Sequence, residues 1–147
     1  MNWSLEQRRR LAAERTFLAQ YFPALRWVDP AGNTAIEGDL RTNAGNVYGV
    51  RVVLPPDFPD SQPDALICRP RPLPTLPGFS LHLTSAAMHT LEGDGQGNVR
   101  ICHYSAERWA ANISLYKVVM KVRFWLEAYE GHLRTGQSID AFLKHMR

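Results

Sequence analysis

Cysteine is scarce in this chain. Cys68 and Cys102 are the only two in 147 residues, too few for a disulfide framework, and no CxxC pair or Cys/His cluster has the spacing of a zinc site. No apolar run has the length needed to cross a bilayer. Behind the N-terminal arginines the sequence is interrupted by Glu6, Gln7 and Glu14, so a secretory signal is not expected. Reduced thiols and a cytoplasmic location are the expectation. A Gly-rich phosphate loop is also missing, and no cofactor is implied. The net charge of +3 is small, and the basic residues form no stripe interleaved with aromatics. Neither nucleic acid nor membrane is therefore expected as a partner. Arg8, Arg9 and Arg10 read as a solvated helix face that can also steer an acidic partner.

What is present is an ordinary globular composition, 45% hydrophobic and 21% charged. One domain spanning residues 1–147 is expected, with no internal repeat. Residues 4–22 read as a helix. Ser4 and Gln7 make a capping box, Leu11, Leu18 and Phe22 recur beside Phe17 and Tyr21 on one apolar face, and Pro23 stops the helix. Strands are expected over 25–29, 34–40, 46–54 and 65–68. The turn clusters at 29–33 and 42–46 separate the first three, giving an antiparallel meander.

The third quarter is different in kind. Pro70, Pro72, Pro74 and Pro77 exclude an interior strand over 69–78, and residues 81–111 show little periodicity. A loop of that length inside one domain usually serves function. The strongest helix signal covers 114–134, where Leu115, Val118, Val119, Val122, Trp125, Leu126, Tyr129 and Leu133 keep a three/four spacing. This helix is expected to lie across the sheet and to end at Gly136. Ser138 caps a last short helix over 139–146. The order of helix, meander, long loop and helices is an α+β arrangement.

With these elements in place, the chain resembles the ubiquitin-conjugating enzymes over most of its length. Three features carry the likeness. Val52-Val53-Leu54-Pro55, followed by Asp57-Phe58-Pro59 and Pro63, is similar to the family's strand leading into a proline-rich crossing. Val99-Arg100-Ile101-Cys102, with Gly97 upstream, is similar to the hydrophobic approach to its active cysteine. Trp109 followed by Ser114-Leu115 is similar to its tryptophan, spacer and helix start. The family's His-Pro-Asn triplet is absent: here the stretch reads Met88-His89-Thr90-Leu91, and the insert Glu92 to Asn98 lengthens the loop. In this the chain resembles the divergent bacterial branch. The tail from Trp125 to Glu130, with Arg134-Thr135-Gly136, is similar to members encoded in antiphage operons, where a conjugating-like protein acts on a nucleotidyltransferase that makes cyclic oligonucleotide signals.

The resemblance implies that Cys102 carries a protein C-terminus as a thioester and passes it to an amine. The carried group would be a ubiquitin-like modifier or the nucleotidyltransferase's own C-terminus. An activating enzyme, which would use the ATP, would meet the first helix. The chemistry needs a thiolate nucleophile, stabilisation of a tetrahedral oxyanion, and two partners held over one sulfur. A cysteine between Gly97 and Trp109 suits this. Most intracellular cysteines are small buried hydrophobes, and Cys68, at the end of a strand, is read that way. His89 and His103 can each donate to an oxyanion or deprotonate the amine, although adjacency to Cys102 in an extended segment turns His103 to the other side. Asn98 and Asn112 are alternative amide donors for the missing asparagine, or a turn and a cap residue. Trp109 is expected to pack under the loop, and Asp94 to hold a turn. Two noncatalytic readings compete: a binding module of the same fold, or a partner that holds a signalling enzyme while the thiol is incidental.

Overall fold

The capping box expected at the N-terminus is formed. Ser4 Oγ accepts from the Gln7 amide at 3.1 Å, and Gln7 Oε1 accepts from the Ser4 amide at 2.9 Å. The computed structural model describes residues 3–143. From this cap runs α1, Leu5–Tyr21. Gln7 also donates to the carbonyls of Pro56 and Phe58, tying the start of α1 to the turn beyond the third strand. The buried stripe of α1 is narrower than expected. Leu11 and Leu18 are in the core, but Phe17 and Tyr21 are 39% and 53% exposed and gather with Tyr116 on the surface.

Arg10 departs from the solvated-face reading of the arginine run. It pairs with Glu14 at 2.8 Å and donates to the carbonyls of Ala111 and Ile113. Glu14, itself buried, accepts from the Leu115 amide at 2.7 Å. The pair therefore fastens α1 to the first turn of the second helix, where backbone N–H groups lack partners of their own. Arg8 and Arg9 remain exposed.

The sheet is antiparallel and has six strands rather than four: β1 Arg26–Val28, β2 Ala35–Arg41, β3 Val47–Val53, β4 Asp64–Arg69, β5 Thr90–Leu91 and β6 Val99–Ile101. Their order is β1-β2-β3-β4-β6-β5. The meander holds for the first four. The additional two come from the stretch read as an unstructured loop. With two and three residues they are too short to show an alternation. Pairing of β6 with β4, Ala65 opposite Ile101 and Ile67 opposite Val99, supplies what the local pattern lacks.

The second helix, α2, spans Leu115–Thr135. Ser114 caps it, accepting from the Lys117 amide, and Gly136 ends it in the left-handed region at φ 79°. Its buried stripe, including Val118, Val122, Leu126 and Tyr129, covers the sheet face carrying Ile36, Val50, Val52 and Ile67. Glu130 is buried beneath the β2–β3 turn and accepts from Thr42, Asn46 and Tyr48. The short helix α3, Ile139–Leu143, packs back on α2 because Gly131 leaves room for the Phe142 ring. A Cβ at Gly131 would stand 2.7 Å from that ring. The rest of the expected last helix, 144–146, lies outside the described residues. No helix among the described residues is long and apolar enough to cross a membrane.

Candidate functional site

Two short strands bring Cys102 and His89 together. In the β5–β6 ladder Thr90 lies opposite Ile101 and Leu91 opposite Arg100. The next position outward sets His89 beside Cys102, whose amide donates to the His89 carbonyl at 2.9 Å. Cys102 thus sits directly at the end of β6 rather than free in a loop. Its thiol is half-buried and lies 4.0 Å from the Tyr104 carbonyl oxygen.

His89 is held from several sides. Its φ of 50° falls in the left-handed region, uncommon outside glycine and, for such residues, often found at functional positions. The preceding residue, Met88, is buried, and its carbonyl accepts from Trp125 Nε1 at 3.0 Å. One residue earlier, the Ala87 carbonyl accepts from the Asp140 amide at 2.8 Å. Asp140 then reaches the ring, its Oδ1 lying 2.6 Å from His89 Nε2. Helices α2 and α3 therefore hold this histidine together with the β5–β6 pairing.

A cleft of about 450 Å³ opens at this point. His89, Cys102, His103 and Tyr104 line one part of it, with Lys121 and Trp125 of α2 and Leu143 of α3 opposite. His103, though among the residues lining the cleft, has its ring turned to the start of β4. Its Nε2 lies 2.6 Å from the Pro63 carbonyl oxygen, and Nδ1 is buried with no partner among the described residues. Burial holds its pKa below the usual imidazole value, partly opposed by the Pro63 carbonyl. Tyr104 has its phenol pKa pushed up by burial, and Lys121 Nζ lies 4.8 Å from the centre of its ring.

The remaining site candidates fall outside this cleft. Asn98 is buried in the turn before β6. Its Nδ2 donates to Asp94 Oδ2 at 2.7 Å, while Asp94 Oδ1 accepts from the Gln96 amide. The hydrogen bond from Asn98 holds the Asp94 carboxyl below the usual range. Asn98 and Asp94 thus shape a turn, and Asn98 is no amide donor to Cys102. Asn112 is exposed in the turn before α2, whose cap is Ser114. Trp109 packs edge-on to Tyr104 and donates to the Pro59 carbonyl, under the segment after β6 as expected. Cys68 is half-buried on β4 rather than a core residue. Burial raises its thiol pKa, opposed by Arg51 and Arg71.

Asp140, Tyr104 and Lys121 are the members of this site that the sequence pattern did not single out. Asp140 stands 51 positions from His89, in a helix too short to show periodicity. Two smaller hollows of about 220 and 260 Å³ run between α1 and β1, where Arg8, Arg15, Arg26 and Trp27 meet. No family model matches the chain, and neither a curated protein nor a solved structure matches it.

Proposed function

We propose that this chain carries a protein C-terminus as a thioester on Cys102 and transfers it to an amine, in the manner of a ubiquitin-conjugating enzyme of the divergent bacterial kind. The observation that carries the proposal is the setting of Cys102: a free thiol at a strand end, on the wall of a cleft shared with His89 and His103. Acyl transfer between two macromolecules requires a sulfur that both can reach and a rigid support around it. Ladder pairing to β5 and the anchoring of residues 87 to 89 by α2 and α3 supply that support. The succession of helix, meander, cysteine-bearing segment and helices suits the ubiquitin-conjugating fold, with β5 and β6 extending the sheet up to the cysteine.

An activating enzyme would approach along α1, where Arg8 and Arg9 are exposed; Arg10, engaged with Glu14 and α2, belongs to the scaffold. The carried group is a ubiquitin-like modifier or the C-terminus of a nucleotidyltransferase of an antiphage signalling system. That last step leans on the segment from Trp125 to Glu130, in which every residue except Glu127 is buried and so also serves the core.

The test mixes the protein with the activating enzyme, ATP and modifier encoded beside it, and reads intact mass with and without a thiol reductant. A modifier-sized adduct that disappears with reductant and is absent in Cys102→Ala is the expected result. Binding without an adduct would favour a noncatalytic module. A reductant-stable adduct persisting in Cys102→Ala would make the protein an acceptor and sink the proposal.

A further inference from the structure

A neutral imidazole has one N–H and one lone pair, and the bond made by one nitrogen fixes the role of the other. His89 Nε2 faces Asp140 Oδ1 at 2.6 Å. A carboxylate accepts and does not donate, so Nε2 keeps the proton and Nδ1 presents the lone pair. His103 is divided the same way, since Nε2 can only donate to the Pro63 carbonyl. In their neutral forms neither ring has an N–H left for an oxyanion, and each offers a base. They differ in access. His103 Nδ1 is sealed from solvent, whereas the His89 side chain keeps 18% of its surface exposed on the cleft wall.

We infer that His89, oriented by Asp140, is the general base that takes the proton from the amine attacking the Cys102 thioester. The inference rests on Cys102 as the acyl carrier and adds to it the acceptor's route of deprotonation. His89 and Cys102 are joined through their backbones, the Cys102 amide donating to the His89 carbonyl at 2.9 Å, and both line the same cleft. The thiol's hydrogen-bond contact is the Tyr104 carbonyl, not the imidazole. A base serving an incoming amine stands off the sulfur by the width of that nucleophile, and both groups line the same cleft.

In the step, the amine nitrogen bonds to the thioester carbonyl carbon and the C–S bond breaks, its electron pair leaving on Cys102 Sγ. The proton shed by nitrogen passes to His89 Nδ1 and from the imidazolium to the thiolate. An amide, a free thiol and a neutral ring result. Asp140 is a positioning residue: it fixes the tautomer and stabilises the transient imidazolium. The other charged groups facing the same cleft are Lys121 from α2 and Glu107 and Arg108 from the segment after β6.

To separate this inference from the reading beneath it, Cys102 is charged chemically, by exchange with a short peptide thioester and without an activating enzyme. Single-turnover discharge to lysine amide is then followed by intact mass across the neutral pH range. His89→Asn is the main variant, since asparagine tolerates the left-handed backbone. Discharge is expected to slow about 100-fold in His89→Asn and about 10-fold in Asp140→Asn. Free imidazole is expected to restore discharge in His89→Gly, which a purely structural role would not permit. Discharge of charged His89→Asn at the wild-type rate, or no rescue by imidazole, would overturn the inference alone. Charging lost in His89→Asn but present in the wild type would assign the ring to the thiol instead, and also overturn it. Failure of the wild type to charge at Cys102 would remove the carrier reading and this inference together.

Discussion

Two carboxylates mark opposite ends of the same packing problem. Glu130, on α2, is 5% exposed, and its Oε2 collects donors from Thr42, Asn46 and Tyr48. Asp140, on α3, bonds the imidazole of His89, which lines the cleft, and its side chain is 28% exposed. A buried carboxylate surrounded by fixed donors is held in place by them and has no route to a ligand. Burial and the Glu130 carboxylate together push the Tyr48 phenol pKa far up, so that group stays a neutral donor. The Asp140 carboxylate instead bonds a ring on the cleft wall. Burial, not residue type, separates the two settings.

The largest effect that would break this comparison is on stability. Glu130→Ala leaves the buried Tyr48 and Thr42 hydroxyls without their acceptor and is expected to cost about 3 kcal/mol in denaturant unfolding. Asp140→Asn, at a half-exposed site, is expected to change stability by less than about 0.5 kcal/mol while slowing discharge. If the two costs came out alike, the distinction drawn from burial would be wrong.

A smaller effect sharpens the contrast between the two histidines. His103 has its pKa lowered in the folded protein, so below the unfolded value of about 6.5 the unfolded chain binds the proton more readily. Its contribution to stability is therefore complete above that value and is lost as pH falls from there towards the folded pKa. Unfolding free energies of wild type and His103→Gln, compared across this window, should show a shallower acid decline in the variant. Parallel declines would remove His103 from the account.

Smallest in stability is the pair Arg8→Glu with Arg9→Glu, expected within about 0.5 kcal/mol of wild type. Its effect belongs to encounter: loading by an activating enzyme should slow, most clearly at low salt. Chemical charging of Cys102 should not change. Slowed chemical charging would mean that α1 and the cleft are coupled through the scaffold.

Several parts of the molecule were legible because their signals are local. The Ser4–Gln7 box, the stripe of α2, its Ser114 cap and its Gly136 stop all lie within a few residues of what they control, and each formed as expected. Cys102 was singled out through the likeness of residues 99–102 and of Trp109 to the conjugating enzymes, whose motifs are also local. The apolar face of α1 was only half legible. Phe17 and Tyr21 have helical spacing, but nothing covers them fully, and spacing alone does not say what lies opposite.

By itself the sequence determined the main helices and the four-strand meander, since chain-local hydrogen bonding and periodicity suffice for these. Tertiary structure decided the rest. It turned Arg10 and Glu14 into a fastening between helices, gave β5 and β6 their strand character through β4, and withdrew Asn98 into a turn. It also brought Asp140 to His89. Apart from the local Asn98–Asp94 turn, these contacts join residues far apart in the chain, and only the packed fold fixes which of them meet.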